Sequence, residues 1–295
     1  GRMHSPIRVR PGERARAADQ NENASDVDAV YRKSSPHQQF YELYMSHNPH
    51  FLSFVCMMEG RKDRAGRAAR QMLDSIPAEF LDKSAALADH RMAIEYQVMV
   101  RFGLWDKLLA SPAPRKDLPI TTAMWRFARA TAQAAKGNLD AADQEQALFR
   151  KAVAAVPKDA MGAINRAHDI LKVGEHTLAG EIAFQKGAID AAVAELEKGV
   201  AAETGLLYME PPEWIQPVRH SLGAILVAAK RWDQAEKVYR ADLAIWPENG
   251  WSLYGLALCL KAKGNPDAQE VTQRFRTAWA RADTQIESTC LCVGG

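Results

Sequence analysis

The stretch QPVRHSLGAILVAAKRWDQAEKVYRADLAIWPENG, Gln216–Gly250, decides the fold. It reads as two helices. Leu222-Gly223 and Leu226 mark the first, Ala235 and Tyr239 the second, and Pro247 ends it. Small Gly223 and Ala235 let the paired helices approach closely. Tyr239 is placed to fill the gap between this pair and a neighbour. Proline cannot continue a helix interior, so Pro247 is a stop. One such pair cannot bury its apolar face alone, and neighbours have to stack on it.

Neighbours in the same register lie on both sides. The unit from Val173 carries Gly180, Ala183, Gly187, Ala192 and Leu196 at the equivalent offsets. The unit from Ser46 carries Cys56, Gly60, Ala65, Ala69 and Pro77, and the unit from Gly250 carries Leu253, Leu256, Leu260 and Gly264. A unit from about Ala123 shares Ala130, Gly137 and Ala142, while Lys83–Lys116 reads as a degenerate member with a short second helix. Ala, Leu, Glu, Lys and Arg, the strongest helix formers, dominate these segments. Breaks at Gly60, Pro77, Gly103, Gly137, Pro157, Gly187, Pro211-Pro212, Pro247 and Gly264 give roughly thirteen or fourteen helices. Strand-type alternation is nearly absent.

The offsets in Gln216–Gly250 resemble the tetratricopeptide repeat, whose period is about 34 residues. The resemblance implies an all-α, right-handed α-solenoid of helix-turn-helix repeats over residues 13–283, with clear repeats from about residue 46. An irregular segment, 1–12, precedes it, and a tail, 284–295, follows with Cys290-x-Cys292. Two further motifs are similar to a narrower group of bacterial tetratricopeptide proteins. One is His47-Asn48-Pro49-His50-Phe51-Leu52 with Met58-Glu59-Gly60-Arg61. The other is Tyr208-x-Glu210-Pro211-Pro212-x-Trp214-x-x-Pro217-x-Arg219-His220. Pro247–Leu253 and Cys290 fit the same group. Its members commonly extend further upstream, which implies a portion of a longer chain. The resemblance supplies no activity.

Composition agrees with a folded protein. Of the 295 residues, 47% are hydrophobic and 25% charged, and the net charge of +2 favours neither nucleic acid nor an anionic membrane. The basic run Arg61–Arg70 is diluted by Asp63 and reads as a solvated helix face. No apolar run approaches the ~20 residues needed to span a bilayer. No signal peptide is visible, so the cytoplasm is the expected location. Cys56 and Cys259 fall in apolar helical patterns and read as reduced core residues. Cys290 and Cys292 read as thiols on a tail, since one intervening residue makes a strained disulfide and an incomplete zinc site.

Function is less legible. The Val173 and Gln216 units start 43 residues apart, so about nine residues are inserted around Leu207–Trp214. Inserted loops on a rigid scaffold are frequent functional positions. In the repeat register, positions 2, 5, 9 and 12 face the concave groove. They include His47 and His50, then Thr177 and Glu181, then His220, then Trp251 and Tyr254. Such a His- and aromatic-lined groove suits a protein or peptide partner, or a small molecule. The predicted ligand-binding residues are Glu181, Tyr208, Glu210, Trp214, Arg219, His220, Trp251 and Tyr254. Glu210 and Arg219 could pair across the loop with Trp214 as a lid; alternatively, the loop is a rigid plug. His47 and His50, three apart on one face, are candidate ligands for a transition metal, which needs one or two more donors. That alternative makes the protein a metal-binding protein or metal-dependent enzyme. No complete catalytic motif is present.

Overall fold

The computed structural model describes residues 46–293. The expectations for residues 1–12, and for a helical array beginning at 13, lie outside the described residues.

The described chain is all-α, and its helices pack in sequential pairs. In order they are α1 (His47–Met58), α2 (Lys62–Asp74), α3 (Ala78–Met92), α4 (Ile94–Arg101), α5 (Trp105–Leu109), α6 (Pro119–Ala135), α7 (Leu139–Ala155), α8 (Ala167–Gln185), α9 (Ile189–Thr204), α10 (Val218–Ala228), α11 (Trp232–Ile245), α12 (Gly250–Ala262) and α13 (Ala268–Ala278). Antiparallel partners are α1/α2, α6/α7, α8/α9, α10/α11 and α12/α13, and the first helices α4, α6, α8, α10 and α12 touch in succession. The degenerate unit has the short second helix expected of it, α5. Helix α3 is kinked at Ser84, which the sequence reading did not anticipate. The one β feature among the described residues is an isolated bridge between Met161 and Arg166. No helix among them is long and apolar enough to cross a membrane.

The turns inside the pairs share one backbone solution. Gly60, Gly103, Gly137, Gly187 and Gly264 all have positive φ just after the first helix of a pair. Glycine adopts that conformation without the steric penalty other residues meet. Each turn closes with the same bonds: Gly137 N–H to Ala134 C=O at 2.9 Å, for example, and Asn138 N–H to Gln133 C=O at 2.9 Å. Lys230 stands at the equivalent place between α10 and α11, with φ 57° and the same bonding.

The packing role read for Tyr239 is seen directly. Its ring is fully buried between Gly223 and Gly255, where a Cβ on either glycine would collide with it. The hydroxyl bonds Thr289 Oγ1 at 2.8 Å.

The last pair also returns to the first. Trp251 on α12 is fully buried and donates its indole N–H to Met57 C=O on α1 at 3.0 Å. The Arg101 guanidinium lies 3.4 Å from the centre of the Trp251 ring. Trp279 covers Gly60, and Asp283 accepts the N–H groups of Lys62 and Asp63 at 2.6 and 3.0 Å, capping α2. A carboxylate there satisfies orphan donors and matches the positive end of the helix. The segment after Asp283 does not trail away. Thr289 donates to His220 C=O at 2.8 Å, and Cys290 and Cys292 are 2% and 3% exposed. The two cysteines read as thiols on a tail are therefore interior residues, and they form a disulfide.

Candidate functional site

The inserted loop between α9 and α10 is held from outside its own repeat. The Glu213 carboxylate accepts the backbone N–H groups of Ala163, Ile164 and Asn165, the latter two at 3.2 Å, and the Asn165 amide as well. Asn165 in turn exchanges two bonds with the backbone of Leu207, at 3.1 and 2.7 Å. Several charge-assisted bonds to one carboxylate make a strong anchor. Trp214 is thereby driven inward, 5% exposed. It meets Phe127 edge-on at 5.2 Å between ring centres and packs on Gly174 of α8. This loop is a wall of three separate cavities.

The outer pocket is an open hollow of about 280 Å³ lined by Tyr208, Trp214, Arg219, Trp246 and the half-buried Glu203. Arg219 reaches Thr204 Oγ1 at 3.4 Å, and Glu203 accepts the Val218 N–H at 3.2 Å. Burial pushes the Glu203 carboxyl up to about 8, with Asp242 adding to the effect and Arg219 opposing it. The Tyr208 hydroxyl bonds Glu210, which is 7% exposed.

Behind Trp214 lies the inner cavity, about 30 Å³, bounded by Phe127, Thr177, Glu181, Gln216 and Ser221. It is large enough for a water and too small for a drug-sized molecule. Glu181 accepts Ser221 Oγ at 2.9 Å and Thr131 Oγ1 at 3.3 Å, and burial raises its carboxyl to about 7. Trp214 Nε1 and Gln216 Oε1 are buried there without a partner among the described residues.

The third cavity, about 20 Å³, lies between the loop residues Pro211–Glu213 and His47, His50, His90 and Arg91. Burial, then Arg91 and the neighbouring imidazoles, holds His50 well below its ordinary value. Burial and Arg91 pull His90 down to about 3. The imidazoles of His50 and His90 are therefore neutral at physiological pH, the form that ligates metals. His90 Nε2 takes the Arg91 Nε–H at 3.3 Å, and its buried Nδ1 has no partner among the described residues.

The predicted site residues thus divide. Trp214 separates two cavities, with Tyr208 and Arg219 on one side and Glu181 on the other; His47 and His50 belong to the third. Glu210, His220, Trp251 and Tyr254 line none of the three. His220 is fully buried in a network with Asp242 (3.0 Å) and Asn249 (2.7 Å). Burial alone would raise Asp242, but His220, Ser252 and Asn249 outweigh it and hold it low. The Ser252 hydroxyl bonds Asp242 at 2.6 Å rather than the imidazole, so this is not the relay of a serine nucleophile. Tyr254 packs on Phe275, 5.4 Å between ring centres. Sequence reasoning missed His90 and Glu203, which lie outside the quoted motifs. It also missed the meeting of Glu181 with Cys290 and Cys292.

No family model matches the chain, and no curated protein matches it.

Proposed function

We propose that the protein is a tetratricopeptide-type solenoid used as a binding module, and that its ligand pocket is the outer hollow beneath the inserted loop. The repeat reading is supported by the left-handed turn residues at 103 and 137, and again at 230 and 264, both spaced by about one repeat. Tyr239 wedged between glycines of adjacent pairs supports it as well.

The observation that carries the binding reading is the approach of one cation, Arg219, and several aromatic walls around an open space of about 280 Å³, with the Glu213 carboxylate in the lining engaged by residues 163–165. Arg219 supplies charge-assisted donors for an anionic group. Tyr208, Trp214 and Trp246 supply a flat apolar surface, and neutral Glu203 can donate one further hydrogen bond. This chemistry suits a small molecule with an aromatic or aliphatic body and a single carboxylate. A long peptide partner along the first helices is a poorer fit, because the chain's own residues 289–293 bond to α8 and α10 there. Titration with 3-phenylpropionate and with its neutral amide, followed by tryptophan fluorescence, tests the reading. Saturable binding of the acid, weakened at least tenfold by Arg219→Ala, is expected. Equal response of wild type and variant, or no saturable response across a panel of aromatic and aliphatic carboxylates, overturns it.

A second reading, metal binding, is favoured by one observation: His90 joins His47 and His50 at a common cavity, which supplies a third imidazole. Metal analysis of tag-free protein tests it. A stoichiometric transition metal lost in the His47→Ala/His50→Ala/His90→Ala variant supports metal binding, and a metal-free wild type removes it.

A further inference from the structure

The segment 288–293 carries Cys290 and Cys292 to the inner face of α8. Cys290 Sγ lies 3.8 Å from Glu181 Oε1, and one ligand-type atom from each of Glu181, Cys290 and Cys292 falls within 4.8 Å of the others. All three residues are buried. Gln216 reaches Cys290 Sγ with Nε2 at 3.7 Å, while its Oε1 is buried without a partner among the described residues. Glu181 and Gln216 also border the inner cavity, whose volume matches about one water. The segment is fixed at this place by Thr289, bonded to His220 C=O and Tyr239, and by Cys292 C=O, which accepts the Gln185 amide at 2.7 Å. Thr289 C=O faces Arg101 Nη1 at 3.5 Å, and Arg101 Nη2 is buried and unpartnered among the described residues.

We propose that Glu181, Cys290 and Cys292 form a redox-gated site for a thiophilic divalent cation, Zn²⁺ by its ligand chemistry, with a fourth position open to the inner cavity. Two thiolates beside a carboxylate suit a borderline, thiophilic cation, and three ligands plus one water is the open form of a zinc site. The disulfide state cannot bind. A dithiol reductant opens the site: its two thiols become a disulfide, and the Cys290–Cys292 bond takes up two electrons and two protons. Zn²⁺ then displaces the two thiol protons, and the carboxyl proton wherever Glu181 is neutral, into solvent. The bound unit carries one net negative charge, and Arg101 supplies a buried positive charge in the same interior. Gln216 Oε1 is placed to accept a hydrogen bond from the metal-bound water.

The test uses the full chain. The protein is reduced under native conditions with a phosphine, the thiols are counted, the reductant is removed without air, and Co²⁺ is added as the probe. One equivalent of Co²⁺ with a thiolate-to-cobalt charge-transfer band is expected. The band should be absent from the oxidised protein and lost in Cys290→Ser/Cys292→Ser. Glu181→Gln should weaken uptake at least tenfold. His47→Ala/His50→Ala/His90→Ala should leave the band unchanged, which separates this site from the histidine cavity. Three outcomes overturn the proposal. They are a disulfide that resists native reduction, a reduced protein without the band, and a band that persists in the double serine variant because Cys56 or Cys259 supplies it.

Discussion

The pair α10/α11 and the loop that precedes it are adjacent in sequence and are specified in opposite ways. The pair is built from local information: Gly223 and Ala235 have counterparts in Gly180 and Ala192 at the same offsets, and the ring of Tyr239 closes on Gly223 and on Gly255 of the next pair. The loop's anchoring bonds run to another part of the chain. Its conformation is imposed by Asn165 and Glu213, which tie it to the α7–α8 connection. The helices therefore fix where a site can be, and the loop decides what the site is.

The largest effect is expected from breaking the periodic side of this comparison. Tyr239→Ala removes a fully buried ring and leaves a cavity between two pairs, a loss of about 4 kcal/mol. Thermal denaturation followed by circular dichroism should show it as a large drop in Tm. A shift within a degree or two of wild type would mean that the pairs are not held by this contact.

At the pocket, acidity should act on binding. The Glu203 carboxyl is neutral below about 8 and ionised above it. Its charge then opposes the positive potential of Arg219, so affinity for 3-phenylpropionate should fall as pH rises through 8. Glu203→Gln keeps the shape and the Val218 N–H acceptor, and should flatten that decline. A profile that is the same in both proteins would remove Glu203 from the pocket's electrostatics.

The smallest effect sharpens the reading of the turns. Lys230 takes the left-handed conformation that glycine takes in the other pairs. Lys230→Gly should raise stability by about 0.5–1 kcal/mol, the steric penalty less the extra chain entropy of glycine. Urea denaturation resolves a change of that size, and a destabilised variant would show that the lysine side chain does more than fill a turn.

The same contrast explains what could be read from the sequence. The helix pairs, the short second helix α5 and the packing of Tyr239 were legible because they depend on residues within one or two repeats. The insertion was legible as a break in period, and its Tyr208 and Trp214 do share a pocket with Arg219 of α10. The return of the last pair to the first was not, because Trp251 and Met57 are 194 residues apart and no local pattern records their bond. For the same reason His90 could not be placed beside His47 and His50, nor Cys290 beside Glu181. His220 was read as a groove residue from its register alone. Its neighbours Asp242 and Asn249, which draw it into a closed network, come from the far end of α11 and the cap of α12.

The central claim is that the anchored loop completes a binding site whose Arg219 and Glu203 stand on α10 and α9. Glu213→Ala tests it most directly, since that carboxylate anchors the loop through three backbone N–H groups. Calorimetric titration of wild type and variant with 3-phenylpropionate, beside their far-ultraviolet circular dichroism, gives both readouts at once. The account predicts binding weakened at least tenfold with an unchanged helical signal. Undiminished binding, or collapse of the helical signal together with binding, would contradict it.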